Sequence, residues 1–394
     1  MSSLAIDNVG LLVTNDPSLG EGPLGTVRDA ALILEGDRVA AVERSGAAAD
    51  RRFDAAGRCV IPGFVDSHTH LVFAGDRADE FAARMAGRPY EARGITTTME
   101  ATRAAGDQEL RGAAAARWRE GLRAGITHVE VKSGYALDVG GERRLCEIAA
   151  ELTDDVTFLG AHAVPPEYEG RADDYVELVC GEMLRACAPP ARWIDVFCER
   201  GAFDAEQSRA VLGAGRDAGL GLRVHGNQLG PGPGVQLAVE MGAASVDHCT
   251  YLDDADIEAL AGSETVATFL PATDFSTRQP YPDGRRLIAA GGRFAIATNT
   301  NPGSSNTTSM SFCIALAVRE MGMSAEEALL AATLGGATAL RREDVGRLSA
   351  GARADAVVLD APSYTHLVYR PGVPLVGATF VEGREAWRSA DPTG

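Results

Sequence analysis

The chain lacks the features of membrane, secreted and nucleic-acid-binding proteins. No apolar run approaches the ~20 residues that a transmembrane helix needs, and the first residues, MSSLA, lack the order of a secretory signal. The seven cysteines include no Cys-x-x-Cys pair, which argues against a disulfide framework and a thiolate zinc site. Acidic residues outnumber basic ones by 55 to 37, and the net charge of −18 argues against nucleic acid as a partner. We expect a cytoplasmic protein that contacts neither nucleic acid nor a membrane.

Strand patterns dominate both ends of the chain. Short apolar segments bounded by Gly, Asn and Asp predict strands at residues 4–14, 29–35, 37–43, 351–360 and 375–383. The second and third of these are joined by a hairpin turn at Gly36-Asp37. We expect the two ends, residues 1–60 and 345–394, to meet as a small composite β-sandwich domain.

The middle of the chain alternates between buried-strand and helix patterns. Apolar runs predict strands at 126–133, 156–164, 192–198, 220–226, 244–249, 265–270 and 293–298. Helical patterns cover 100–124, 137–152, 204–218, 233–241, 253–262 and 324–340, whereas 78–99 has the composition of a loop. About eight such units predict a parallel α/β fold, a (β/α)8 TIM-like barrel over residues 61–344, with its chemistry at the C-terminal strand ends.

Two histidines at a spacing of two follow the first buried strand of this region. His68 and His70 end the apolar run that begins at Cys59. Successive side chains on a strand alternate between faces, so both imidazoles point the same way and are placed to share one metal ion. A pair of ordinary loop histidines is the alternative, but the buried-strand pattern before them favours metal ligation.

Three further histidines stand at the ends of later predicted strands. His162, His225 and His248 each close an apolar run. Because parallel barrel strands end at one mouth, these imidazoles are expected to converge with the first pair. Any one of them has a hydrogen-bonded core histidine as its alternative, but five together favour a functional cluster.

Several segments resemble the amidohydrolase superfamily and, within it, the enzymes that open the ring of imidazolonepropanoate in histidine degradation. The resemblance runs nearly end to end and is carried by residues 62–77 (PGFVDSHTHLVFAGDR), 130–135 (EVKSGY), 160–168 (GAHAVPPEY), 245–248 (SVDH) and 301–305 (NPGSS). The His-x-His pair marks only the superfamily, whereas the Lys-Ser-Gly-Tyr and Asn-Pro-Gly-Ser-Ser segments are more selective. The implied reaction is metal-dependent hydrolysis of a cyclic amide C–N bond, from 4-imidazolone-5-propanoate to N-formimidoyl-L-glutamate.

The resemblance also implies a set of site residues. One Zn²⁺ or Fe²⁺/Fe³⁺ ion is expected on His68, His70 and His225, with the fourth ligand at residue 299, and histidine ligands suit both metals. The implied catalytic residues are His248, His162, Gln228 and Asn299. The implied substrate-binding residues are Arg77, Tyr135, His162, Gln228, Asn301, Gly303 and Ser304.

Elementary chemistry supports some of these roles and leaves alternatives for each. The guanidinium of Arg77 suits a propionate tail, although a solvated arginine paired with Asp76 or Asp79 is the alternative. The phenol of Tyr135 is placed to donate to a ligand, with core packing as the alternative. Gly303 lets backbone N–H groups approach an anion, and a plain turn is the competing interpretation.

Asn299 departs from the pattern, because the resemblance predicts an aspartate there. An amide brings no negative charge and is no base at neutral pH, and Gln228 likewise supplies no carboxylate. Three interpretations stay open: an introduced substitution in an otherwise matching enzyme, a natural relative acting on another small nitrogen heterocycle, and a non-catalytic protein that binds a small carboxylate. The expected partner is a small-molecule substrate with a carboxylate, and a homodimer is expected as the default for soluble enzymes.

Overall fold

The computed structural model describes residues 3–87 and 94–390, which form two compact units. Unit 1 comprises Met1–Ser67, Arg119–His128 and Thr308–Gly394. Unit 2 comprises His68–Trp118 and Val129–Thr307. Within the described residues, no helix combines the length and the apolar character that crossing a membrane requires.

The elements are numbered in chain order. The strands are β1 (Ser3–Val13), β2 (Thr26–Glu35), β3 (Arg38–Arg44), β4 (Arg51–Asp54), β5 (Cys59–Pro62), β6 (Phe64–Asp66), β7 (Ile126–Val129), β8 (Val131–Lys132), β9 (Val156–Ala161), β10 (Trp193–Cys198), β11 (Gly221–Gly226), β12 (Ser245–His248), β13 (Val266–Phe269), β14 (Phe294–Ile296), β15 (Ala356–Leu359), β16 (Val376–Val381) and β17 (Arg384–Arg388). The helices are α1 (Ala78–Met85), α2 (Gly94–Ala104), α3 (Asp107–Arg123), α4 (Val139–Ala150), α5 (Ala172–Leu178), α6 (Leu184–Cys187), α7 (Ala205–Asp217), α8 (Gly234–Met241), α9 (Asp254–Ala261), α10 (Pro271–Thr277), α11 (Gly284–Ala289), α12 (Met310–Glu320), α13 (Ala325–Leu330), α14 (Gly336–Ala339) and α15 (His366–Tyr369). Short 3₁₀ or π segments cover Pro166–Tyr168, Val179–Met183 and Ala331–Gly335.

Unit 1 contains an eight-stranded mixed sheet built from both ends of the chain. Its order is β17-β16-β15-β5-β1-β2-β3, and β4 pairs in parallel with β1. The link between the ends is the antiparallel pairing of β15 with β5, in which Val357 lies opposite Ile61. The predicted hairpin at Gly36-Asp37 is confirmed, since Glu35 pairs with Arg38 across it. Both ends of the chain therefore contribute strands to one sheet.

Unit 2 contains a seven-stranded parallel sheet in simple sequential order. The order is β14-β13-β12-β11-β10-β9-β8, and each neighbouring pair is parallel. Strands such as β9 and β13 are buried at every residue, which explains why they appear in the sequence as continuous apolar runs. Parallel order puts the C-terminal ends of all seven strands at one edge.

The segment that carries the first two histidines lies beyond β6 and not within a strand. Its backbone nevertheless pairs on two sides inside unit 2. The His70 amide donates to the Thr300 carbonyl (2.9 Å), and the Lys132 amide donates to the Thr69 carbonyl (2.9 Å). Thr69 and Thr300 form an isolated parallel bridge. The strand placement predicted for the histidines was therefore wrong, but their extended geometry keeps both imidazoles on one side.

Helix boundaries follow local capping chemistry. Asp204 and Ser324 cap α7 and α13 through reciprocal side-chain and backbone hydrogen bonds, and Asp138 caps α4 by accepting from the Gly141 amide. α8 ends at Gly242, whose φ of 70° suits a residue without a side chain.

Two helix predictions and one loop prediction need correction. The predicted helix 100–124 is two helices, because Gly106 separates α2 from α3. The predicted helix 324–340 contains the π segment Ala331–Gly335 between α13 and α14. The predicted loop 78–99 contains α1 and the start of α2, while residues 88–93 lie outside the described part of the chain.

Candidate metal centre and active site

Three buried imidazoles converge at the C-terminal edge of the parallel sheet. His68 and His70 follow β6, and His225 is the fifth residue of β11. One ring nitrogen from each lies within 4.8 Å of the others, and the ring centroids are 4.5 to 5.7 Å apart. All three residues are at most 2% exposed. This compactness matches three nitrogen ligands of one metal ion.

The ring nitrogens of these histidines also have the right hydrogen-bonding state for a metal. Nε2 of His68 and Nε2 of His225 are buried without a hydrogen-bond partner anywhere in the described chain. Burial, reinforced by the nearby Lys132 charge for His68, lowers the pKa of the His68 and His70 imidazoles well below 6.5. Neutral imidazoles with unshared lone pairs are the form that binds metal, so the residues present fit such an ion.

Two aspartate carboxylates lie close to the Nδ1 atoms of two of these histidines. Asp247 Oδ2 lies 2.7 Å from His68 Nδ1, and Asp195 Oδ2 lies 3.0 Å from His225 Nδ1. For His68, the hydrogen bond to Asp247 fixes the tautomer and directs Nε2 toward a metal, whereas the Asp195 contact with His225 is electrostatic. Burial alone would raise the pKa of both carboxyls. The Arg223 guanidinium and the hydrogen bond with His68 hold the pKa of Asp247 well below 3.8, and the Lys132 ammonium contributes to a lowered pKa of Asp195. Both carboxylates are therefore ionised at neutral pH.

Lys132 joins these carboxylates into one network. It is the only lysine in the chain and is completely buried. Its ammonium lies 2.8 Å from Asp195 and 2.8 Å from Glu130, and 3.6 Å from Asp247. Buried charges are stable only when each is paired with an opposite charge. The ion pairs of Lys132 therefore hold these carboxylates in fixed positions.

Asn299 faces the same region with its amide oxygen unpaired. Its Nδ2 donates to the Thr273 hydroxyl (2.8 Å), and within the described residues its buried Oδ1 has no hydrogen-bond partner. The backbone has a φ of 52°, a conformation that Asn and Asp adopt more readily than other side chains. The side-chain carbonyl oxygen is therefore available as an uncharged ligand for a metal ion.

A cavity above the triad brings the sequence-predicted residues together. Its lining includes His70, Arg77, Tyr135, His162, His225, Gln228, His248, Asn299, Asn301, Gly303 and Ser304. His68 lies beneath it, fully buried. Of the residues that the structure describes, no Asp or Glu lines the cavity, so imidazoles are its proton acceptors.

His162 and His248 are both neutral at pH 7. Burial, followed by the charge of His225, lowers the pKa of His162 to about 4 and that of His248 well below 6.5. His162 Nδ1 lies 2.9 Å from the Gly134 carbonyl, which accepts only from an N–H, so Nε2 of the neutral ring carries the lone pair. The His248 ring centroid lies 5.4 Å from that of His225, and its backbone has a φ of 85°. Such a strained backbone persists where surrounding structure enforces it.

Arg77 lies inside the protein, which excludes the solvated alternative. It is 7% exposed and pairs through Nε and Nη2 with Glu80 at 2.8 and 2.7 Å, instead of with Asp76 or Asp79. A Cβ on Gly303 would approach Arg77 Nη1 to 2.2 Å. The glycine is therefore needed for close approach of the guanidinium.

The loop 299–304 is organised by Asn301. Its Oδ1 accepts from the Gly303 and Ser304 amides at 2.8 Å each, and its Nδ2 donates to the Asn299 carbonyl at 2.7 Å. The Gly303 and Ser304 amides thus already have an acceptor within the loop. Asn301 shapes the cavity wall through its loop.

Tyr135 and Gln228 lie on the loops that follow β8 and β11. The Tyr135 ring is 3% exposed, and its centroid is 5.4 Å from that of His162. The backbone amides of Gln228 and Leu229 donate to the buried carboxylate of Glu199. The amide side chain of Gln228 lines the cavity.

Sequence reasoning missed the buried charges behind the site. Lys132, Asp195 and Asp247 lie in strands that are almost entirely buried, and Glu142 lies on the buried face of α4. A charge within an apolar run was the available signal, because such a charge needs a partner nearby. Arg200, which also lines the cavity, had no comparable signal.

The chain is similar to known hydrolases over its whole length. The amidohydrolase family model matches residues 59–386. The chain is 62% identical over 395 residues to the imidazolonepropionase of Mycolicibacterium smegmatis, covering 100% of both chains. It is 64% identical over 387 residues to the imidazolonepropionase of Salinispora tropica, covering 97% of this chain and 98% of the relative. A solved structure of an atrazine chlorohydrolase mutant from Arthrobacter aurescens, complexed with zinc and atraton, has a TM-score of 0.73 at 20% identity, covering 97% of this chain and 94% of that one. That last likeness shows a shared fold.

Proposed function

Because this chain belongs to the amidohydrolase family and, within it, to the imidazolonepropionases, we propose that it hydrolyses 4-imidazolone-5-propanoate to N-formimidoyl-L-glutamate. The observation that carries the proposal is the cluster of His68, His70 and His225 at the base of a cavity that holds a buried arginine. The reaction is the ring-opening step of histidine degradation. It cleaves one cyclic amide C–N bond with one water molecule.

The metal ligands in this proposal are His68, His70 and His225, with the Asn299 carbonyl oxygen as a neutral fourth donor. A bound divalent ion supplies Lewis acidity, since it lowers the pKa of water from ~15.7 towards ~7 and polarises a carbonyl. Zn²⁺ and Fe²⁺/Fe³⁺ both suit imidazole ligands, and the zinc in a structural neighbour favours zinc. The Asp247 carboxylate orients the His68 ring, and the Asp195 carboxylate lies 3.0 Å from Nδ1 of His225.

Histidines transfer the proton in this proposal, because residues 228 and 299 are amides, which are not bases at neutral pH. His248 lies beside the triad and is neutral, so it accepts the proton of the attacking water as the C–O bond forms. It then returns that proton to the ring nitrogen as the C–N bond breaks, which balances the reaction. His162, with its Nε2 lone pair held toward the cavity by the Gly134 carbonyl, is the second acceptor.

The propionate of the substrate binds at the arginine end of the cavity. Arg77 supplies the positive charge, and Gly303 and Ser304 form the adjacent wall through the loop that Asn301 organises. Tyr135 and Gln228 flank the ring. Such a set recognises a small, flat heterocycle with a carboxylate tail.

We also propose the finer architecture that the sequence predicted. The seven parallel strands and the segment at Thr69 form a (β/α)8 barrel, supported by the hydrogen bonds of that segment to Thr300 and Lys132. The barrel domain covers 61–344, and 1–60 with 345–394 form a composite β-sandwich domain. The enzyme acts in the cytoplasm as a homodimer, without nucleic-acid or membrane partners.

Turnover of the substrate tests this function directly. The purified protein, loaded with Zn²⁺ or Fe²⁺, is mixed with imidazolonepropanoate, and the loss of its ultraviolet absorbance is followed while mass spectrometry identifies the product. We expect a product heavier by one water, and loss of activity in His248→Gln but not in His366→Gln, a matched control on α15. Binding of the substrate without turnover would identify a carboxylate-binding protein instead. Turnover of another ring alone would reassign the substrate.

A further inference from the structure

A buried carboxylate lies behind the loop that carries Tyr135. Glu142 is on the first turns of α4 and is completely buried. Its Oε2 accepts from the Gly134 amide at 2.8 Å, and its Oε1 accepts from the Ala136 and Leu137 amides at 2.8 Å each. Three backbone N–H groups therefore donate hydrogen bonds to one side chain. Burial raises the pKa of this carboxyl, and the three backbone donors oppose that shift because they favour its ionised form.

The loop has an unfavourable backbone conformation that needs such support. Gly134 has a φ of 103° and Leu137 a φ of 56°, both in the region that favours glycine. A leucine there costs conformational energy, so the loop would relax without contacts that enforce it. The Glu142 hydrogen bonds lie on both sides of Tyr135 and fix the two ends of the strained segment.

The same loop also fixes a histidine on the next strand. The Gly134 carbonyl lies 2.9 Å from His162 Nδ1, while the Gly134 amide is the one that donates to Glu142. A Cβ on residue 134 would lie 2.9 Å from His162 Nδ1, so this contact depends on the glycine. The position of one residue, Gly134, therefore connects Glu142 to the tautomer of His162.

We propose that Glu142 is a positioning residue for substrate recognition, which holds Tyr135 and His162 in their binding geometry through the loop 134–137. The inference rests on the proposed function, because it assigns the pocket wall of the same site. Glu142 lies outside the cavity lining and so acts through the loop. Its removal leaves the metal ligands and His248 untouched.

Glu142→Gln tests this inference with little change in shape. An amide has one acceptor oxygen, so at least the Gly134 amide faces an NH₂ group and loses its partner. We expect KM for imidazolonepropanoate to rise on the order of 10-fold, the effect of one unpaired buried donor, with kcat changed less than KM. Metal content should match wild type. Glu147→Gln, an exposed position on the same helix, is the matched control and should leave both constants unchanged.

A double variant shows whether the effect passes through the loop. In a Tyr135→Ala background, Glu142→Gln should raise KM by clearly less than it does alone. Hydrogen exchange of residues 133–138, followed by mass spectrometry, should be slow in the substrate-free wild type and faster in Glu142→Gln. An unchanged KM in Glu142→Gln, additive effects, or rapid exchange in wild type would each overturn the inference.

The exchange measurement keeps the two proposals distinguishable. If the wild type shows no turnover, the proposed function fails, while protection of residues 133–138 still tests whether Glu142 holds the loop. If Glu142→Gln does not fold, the inference is tested by hydrogen exchange of residues 133–138 in the wild type and by KM of Tyr135→Ala. Wild-type turnover with rapid exchange of the loop would refute only the positioning role.

Discussion

Replacing Asn299 with aspartate is the most informative single perturbation of this site. The side chain is 2% exposed, and its Oδ1 lacks a partner among the residues described. Its Nδ2 bond to the Thr273 hydroxyl survives the change, because a hydroxyl can donate to a carboxylate as well as accept from an amide. The positive φ at this position suits aspartate as well as asparagine.

The added charge decides the size of the effect. Two unit charges ~4 Å apart interact by ~4 kcal/mol at an effective dielectric constant of ~20, and the attraction to a divalent ion is larger. Desolvation of the carboxylate opposes this by several kcal/mol. We expect the metal Kd of Asn299→Asp to fall roughly 10- to 1,000-fold. Without metal, the unpaired carboxylate should destabilise the protein by about 1–3 kcal/mol.

The metal Kd is measured by competition with a chromophoric chelator, and stability by urea unfolding with and without Zn²⁺. Asn306→Asp adds the same charge at an exposed position of the same loop region and is the control. The variant should be less stable than wild type when metal-free and more stable when metal-bound, and its turnover should be faster. A metal Kd within threefold of both wild type and Asn306→Asp would refute residue 299 as a ligand.

Three further predictions follow from the buried charges. Lys132→Arg should destabilise the protein by about 3–5 kcal/mol in urea unfolding, because a guanidinium fork does not fit the closed ammonium site, and a change below 1 kcal/mol would contradict this. Arg77→Lys should raise KM roughly 10-fold or more for imidazolonepropanoate but not for an imidazolone without the propionate, and equal effects on both would exclude carboxylate binding. In the metal-free protein, the buried imidazoles have pKa values below the ordinary 6.5, so the unfolded chain binds more protons and the unfolding free energy should fall as pH drops below 6.5. The imidazoles concerned are those of His68, His70, His162 and His248. Urea titrations at pH 7.5 and 5.5 measure the unfolding free energy, and equal values at the two pH values would contradict the prediction.

Apolar periodicity was enough to predict most of the sheet strands. The predicted strands of the middle region match β7 to β14 within a few residues, because fully buried parallel strands leave uninterrupted apolar runs. Helices were harder to place. The helices that were not predicted are α1, α5, α6, α10, α11, α12 and α15. Most of them are short, and for α12 the N-cap serine Ser309 was an available signal.

The grouping of site residues in one cavity was also accessible from the sequence. His162 and His248 stand at strand ends, and the topology of a parallel sheet brings such ends together. Hydrogen-bond partners were not accessible in this way. The pairing of Arg77 with Glu80 and the three bonds to Glu142 depend on side-chain and loop geometry that composition does not specify.

The pairing of β15 with β5 has a consequence for how the protein is made. Val357 lies opposite Ile61, so the amino-terminal strands wait for a partner about 300 residues away, which at ~5–20 residues per second takes roughly 15–60 s on the ribosome. During that interval the open edge of β5 is exposed to chaperones and to other nascent chains. Truncation near the carboxyl terminus should therefore reduce soluble yield in cells even when every residue of the cavity is present.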